Sequence, residues 1–180
     1  MITKATIRNI FTGLSPDVKS YFLYTPDLID GFPPEVCLAY LFSGIRAIHR
    51  RAFYLGIVRK FNTDREITFE MVDRHTFQLH EFTTEFERIF GLKFDAITAE
   101  RLKHIQEIRN RATHGQTVKP QETLQAVLDI LEYAEALNGD LKGMIGKTPF
   151  KGLEGAAGRI KPLNRETSQW ILKGMGLAGN

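Results

Sequence analysis

Apolar residues recur along this chain at steps of three and four, the period of a helix face. Nowhere do they alternate with polar residues between turn signals as a β-sheet requires. From Pro34 to Phe61, Val36, Tyr40, Ile45, Ile48, Ala52, Leu55 and Val58 fall near one side, which predicts a long helix with Gly44 or Gly56 as possible kink points. Thr68 can cap a second long helix, in which Val72, Leu79, Phe82, Phe86 and Phe90 keep the period until Gly91 stops it. Thr98 can cap a third, with Leu102, Ile105, Ile108 and Ala112 inward and His114-Gly115 at its end. A fourth starts at Pro120, buries Leu124, Val127, Leu128, Leu131, Ala134 and Leu137, and ends at Asn138-Gly139.

Four consecutive helices predict an all-α, up-and-down bundle. Before it, Ser15-Pro16 and Thr25-Pro26 each pair a capping residue with a proline suited to the first helical position, so two short helical turns are expected within residues 16–30 as a lead-in. Beyond it, Gly139, Gly143, Gly146, Gly152, Gly155 and Gly158 break up residues 139–163, which read as loop or extension. A short helix over residues 165–173 then presents Trp170, Ile171 and Leu172. Too short to be stable alone in water, it is expected to dock its tryptophan on its own bundle or on a partner. The organisation that follows is a bundle domain over residues 1–138 and a Gly-rich extension over residues 139–180.

Composition narrows the function classes modestly. With 180 residues, 43% hydrophobic and 25% charged, the chain can bury a sizeable core, while a net charge of +3 is far below that of a tail-like polyanion binder. Cys37 is the lone cysteine, so no intrachain disulfide or four-cysteine zinc site can form, and an intracellular, cytoplasmic location fits best. Neither a cleavable leader nor a membrane-spanning apolar run is evident.

Two candidate chemistries fail on spacing. Gly146-Lys147-Thr148 suggests a phosphate-binding loop, but the glycine needed five positions earlier is replaced by Leu141 and no strand precedes it. His75 and His80 lie five apart, which puts them about 140° apart on a helix, whereas helical zinc pairs use a spacing of four. His49 has no metal partner nearby, so no metal is expected. Arg46, His49 and Arg50 share a side of the first long helix, as either a solvated face or a phosphate-contacting one.

The stretch KHIQEIRNRATHGQT, residues 103–117, is richer. Asn110 and His114 are four apart and Arg111 is three from His114, so the three converge on one helix face. Arg109 lies about 140° round from His114 and joins them only through its length, a bend or another subunit. Basic residues complement the dipole of a helix end and Gly115 can cap it, which is a purely architectural reading. The chemical reading is that arginine neutralises phosphate while histidine moves protons near neutral pH. Positive neighbours favour the neutral histidine base, and Glu107 could oppose this by pairing with Arg111.

EIRNRATHG resembles the signature of HEPN domains, all-α bundles whose motif is an arginine, a following polar residue and a histidine four to six residues on. Arg109, Asn110 and His114 match it. The resemblance implies a homodimeric, metal-independent and cofactor-free endoribonuclease with the motifs of two subunits facing one cleft. His114 would then serve proton transfer, Arg109 would stabilise the pentacovalent phosphate, and Asn110 would orient the pair. Arg111, Arg46 and Arg50 are candidate RNA phosphate contacts. Family members act as toxins or antiviral effectors. An antitoxin or regulatory protein is thus a possible partner, although Gln116 stands where several antitoxin-paired members carry tyrosine. The alternatives are a non-catalytic helical module that binds nucleic acid or a regulatory protein and, less supported, a helical transcriptional regulator.

Overall fold

The computed structural model describes residues 2–75, 81–94, 96–153, 155 and 160–177. Leu79, His80 and Gly158 lie outside them. The chain forms the expected all-α bundle, with nine helices and no strand among the described residues. These are α1 (Lys4–Gly13), α2 (Pro16–Tyr21), α3 (Thr25–Gly31), α4 (Pro34–Phe61), α5 (Arg65–Arg74), α6 (Glu81–Phe90), α7 (Ala96–Thr113), α8 (Pro120–Ile145) and α9 (Arg165–Gly174).

Helix α4 is the axis of the molecule, 28 residues long and packed against α3, α5, α6, α7 and α8. Surrounded in this way, it buries residues around much of its circumference. Its inward stripe begins with Cys37, Leu38, Leu41 and Phe42, whereas Val36 is exposed and Tyr40 half-buried, contrary to the expected register. The helix is continuous through both glycines, which serve close approach. A methyl group on Gly56 would lie 2.6 Å from the Phe90 ring, and one on Gly44 would overlap the Phe22 ring.

Several boundaries differ from the sequence expectation for identifiable reasons. The second long helix is two: α5 ends at Arg74, and His75 is extended (φ −78°, ψ 125°). The N-cap of α5 is Asp64, whose carboxylate accepts from the backbone N–H groups of Glu66 and Ile67. Thr68 is buried inside that helix, bonded to Thr63 Oγ1 and the Asp64 carbonyl. Helix α7 starts two residues before Thr98. Gly91 ends α6 as expected, at φ +73°.

The fourth helix passes through Asn138-Gly139 to Ile145, so residues 139–145 are helical and the boundary expected at 138 falls inside α8. Asn138 is part of a polar knot, donating to Ser15 Oγ at 2.9 Å and accepting from Thr148 Oγ1 at 2.6 Å. Leu141, fully buried one turn later, offsets the roughly 1 kcal/mol that each helical glycine costs. The cap is Gly146, so GKT here is a turn after a helix, with Thr148 Oγ1 also receiving the Phe150 N–H.

The N-terminal helices are integral to the core rather than a lead-in. Helix α1, unexpected from sequence, is closed by a capping box between Thr3 and Thr6 and lays Ile7 and Phe11 against the bundle. At the expected α2 and α3 starts a proline occupies the first turn of each, but Ser15 makes no side-chain cap, and Thr25, expected as a cap, is the first residue of α3 with Tyr24 before it, its hydroxyl donating to the Phe22 carbonyl at 2.8 Å. At the other end α9 docks on α5 through buried Ser168 and Leu172, with the Asp64 N–H donating to Ser168 Oγ at 2.8 Å. Trp170 projects the other way, 78% exposed, so it does not dock on its own bundle. Among the described residues no helix is long and apolar enough to cross a membrane.

Candidate active site at the end of α7

Helix α7 terminates in a Schellman motif. His114 is the C-cap and Gly115, at φ +71°, is the left-handed residue after it. The Gln116 N–H reaches the Arg111 carbonyl at 2.9 Å and the Gly115 N–H reaches that of Ala112 at 3.3 Å. The His114 N–H still bonds Asn110 one turn back at 3.0 Å, so the histidine backbone remains in register with the helix while its side chain is exposed. The glycine cap and the placement of His114 are one feature.

Asn110, Arg111 and His114 line a single open depression, together with Glu107 and Gln116, as the spacing predicts. Arg109 belongs to the neighbouring face. Its guanidinium carbon sits 5.0 Å from the centroid of the Phe42 ring, and it borders a second depression with Glu35, Val36, Ala39 and Ala112. A side-chain bond links the two faces, because Arg109 Nη1 donates to Asn110 Oδ1 at 3.1 Å. Arg109 is therefore attached to the His114 pocket through Asn110 without lining it.

Arg111 pairs with Glu122 of α8 at 3.0 Å, not with Glu107. Nothing local in sequence marks this contact, since Glu122 is eleven residues on and reaches Arg111 only after the chain reverses at residues 114–119. The usable signal was an acidic residue in the first turn of the next helix, where it complements that helix's dipole. Phe42, which holds the Arg109 guanidinium, was missed for a related reason. The apolar period read from Val36 and Tyr40 runs one position off in the first turns of α4, where Cys37, Leu38, Leu41 and Phe42 are buried, although Ile45, Ile48, Ala52, Leu55 and Val58 further along are buried as expected.

The other expected contacts spread along α4. Arg46 lies one turn beyond Phe42, about 6 Å along the axis, on the same side as the Arg109 contact. Arg50 turns towards α5, where its Nε is 3.9 Å from Asp73. His49 does not share their exposed side. It is buried, its Nε2 lies 2.7 Å from the Tyr133 hydroxyl, and its ring stacks on Phe82 with centroids 3.6 Å apart. Burial, then the charge of Arg46, holds its imidazole well below the ordinary value. Among the described residues no group of three or more histidine, cysteine, aspartate or glutamate side chains is arranged to hold a metal ion.

The arrangement offers an exposed imidazole, an amide in the same depression that is bonded to one guanidinium, and a second guanidinium lining it. Such a set can bind an anionic oxygen and transfer a proton next to it. Comparison of the chain with models of protein families, with curated proteins and with solved structures finds no match in any of the three.

Proposed function

We propose that the end of α7 is the reactive centre of a metal-independent endoribonuclease of the HEPN type, completed by a second copy of the chain. The observation that carries this reading is the convergence of Asn110, Arg111 and His114 on one open depression, with Arg109 bonded to Asn110 at 3.1 Å. In the proposed reaction the RNA 2′-hydroxyl attacks the adjacent phosphorus, the new O2′–P bond forms and the P–O5′ bond breaks. His114 serves a proton transfer at the attacking or the leaving oxygen. The arginines stabilise the extra negative charge of the pentacovalent phosphate. The products are a 2′,3′-cyclic phosphate and a free 5′-hydroxyl.

A second copy enters because Arg109 faces away from His114, towards Val36, Ala39 and Ala112. Val36 is an exposed apolar residue there, and a two-fold contact over this face would bring one protomer's Arg109 towards its partner's pocket. A role as a toxin or antiviral effector, restrained by an antitoxin or regulatory protein, belongs to the same proposal.

The test is incubation of the purified protein with single-stranded RNA in the presence of a chelator. Cleavage yielding cyclic phosphate ends is expected, with His114→Ala at least ~100-fold slower and a DNA of the same sequence intact. Intact RNA under all conditions would sink the proposal. One observation favours a second reading, a non-catalytic module that binds nucleic acid or a regulatory protein. Both arginines are already engaged within the fold, Arg111 by Glu122 and Arg109 by Phe42. In that case Arg109→Ala and His114→Ala would weaken binding with no RNA cut by the parent protein.

A further inference from the structure

Arg50, a candidate RNA contact by sequence, borders a different cleft. About 240 Å3 in volume, this cleft lies between α4 and α5. Ala47, Arg50, Arg51 and Tyr54 supply its α4 wall, at spacings that keep them on one side of the helix. Phe69 and Asp73, one turn apart, supply the α5 wall, and Leu153 from the segment after α8 closes one edge.

The floor and the rim differ in chemistry. Tyr54 is buried and meets Phe69 edge to face with centroids 5.9 Å apart, while the Phe69 ring remains 52% exposed beside the opening. Arg51 is committed elsewhere, its guanidinium over the Tyr21 ring at 5.4 Å and its Nη1 near the Pro149 and Lys151 carbonyls at 3.4 and 3.5 Å. Arg50 is not so bound. Among the described residues its one ion pair is Nε to Asp73 at 3.9 Å, and the two side chains are 42% and 63% exposed, a long and well-solvated pair. The planar fork of a guanidinium suits a two-oxygen anion, and Asp73 offers one only at the edge of ion-pair range.

We propose that this cleft is a binding site for a small planar aromatic anion, its ring against Phe69 and Tyr54 and its carboxylate or phosphate taking Arg50 from Asp73. The space admits one ring or a fused pair with one anionic group. The ligand would bridge α4, α5 and the segment after α8, three parts of the chain that meet at this point. The site is separate from the α7 end and does not depend on RNA cleavage.

Calorimetric titration of the full chain with indole-3-carboxylate is the first measurement, with a dissociation constant of about 1 mM or tighter expected. Phenyl phosphate in a parallel titration tells which anionic group is preferred, while indole and acetate separate ring from charge. Arg50→Gln and Phe69→Ser should each weaken binding about tenfold, whereas Asp73→Asn, which removes the competing carboxylate, should strengthen it several-fold. All three changes lie at solvent-exposed side chains, and thermal melts confirm that each variant is folded. The proposal is overturned if neither aromatic anion binds, if indole binds as tightly as its carboxylate, or if Arg50→Gln and Asp73→Asn leave the affinity unchanged.

Discussion

His49 and His114 both stand among arginines in the sequence, and the fold sends them to opposite environments. His49 is sealed in the core, stacked on Phe82 and 2.7 Å from the Tyr133 hydroxyl, with burial favouring its neutral form. His114 closes a helix at the surface, with Asn110 and Arg111 beside it. A basic neighbourhood in sequence is thus a poor guide to a histidine's chemistry. What separates them is whether the imidazole leaves its helix towards the core or towards solvent. Around His49 the arginines point outward and the ring inward, whereas at α7 the break at Gly115 leaves all of them near water.

The contrast is broken most forcefully by deleting each ring. His49→Ala removes a stacked, buried ring and leaves the Tyr133 hydroxyl without its partner, which should cost about 3 kcal/mol of stability. His114→Ala should alter stability by less than about 0.5 kcal/mol. Urea denaturation followed by circular dichroism measures both, and equal losses would erase the distinction between the buried and the exposed ring.

Acid sharpens the same comparison. Because burial and Arg46 hold the folded imidazole of His49 well below its ordinary value of 6.5, the unfolded chain takes up a proton that the folded chain refuses. The contribution is therefore complete above the unfolded value. It falls by about 1.4 kcal/mol per pH unit below that value, until the folded imidazole itself titrates. The difference in stability between the parent and His49→Gln should show this slope, and a difference that stays constant over the same range would mean that the buried ring titrates alike in both states.

The smallest effect concerns the cap. Gly115→Ala forces a side chain into the left-handed region at φ +71°, with open space around it, so only backbone strain of about 1 kcal/mol is expected. If the cap also sets the position of His114, RNA cleavage should fall by more than the stability change explains. A variant with full cleavage and lowered stability would confine Gly115 to architecture.

The parts of the fold legible in sequence were those whose own residues specify them. Helices α4 and α7 and the start of α8 declare themselves through prolines and apolar period, and Gly91 stops α6 as its lack of a side chain allows. The break after α5 was invisible because the apolar period runs on across it. The end of α8 was misplaced because Asn138-Gly139, a good local stop, is overruled by partners distant in sequence, Ser15 and Thr148. Helix α1 is weakly announced in sequence because its capping box uses threonine at both ends instead of the more recognisable glutamate. At the site, the convergence of Asn110, Arg111 and His114 and the divergence of Arg109 followed from helical angles alone. Glu122 and Phe42 did not, because each comes from another helix.

The outward face of α9 has a spectroscopic consequence. Trp170 is the chain's single indole, and in the folded protein it already sits largely in water. Its fluorescence should consequently change little when the bundle melts, making it a poor thermometer of folding. The same property makes it a clean detector of company, since a blue shift of its emission would mean that something other than its own bundle has covered α9.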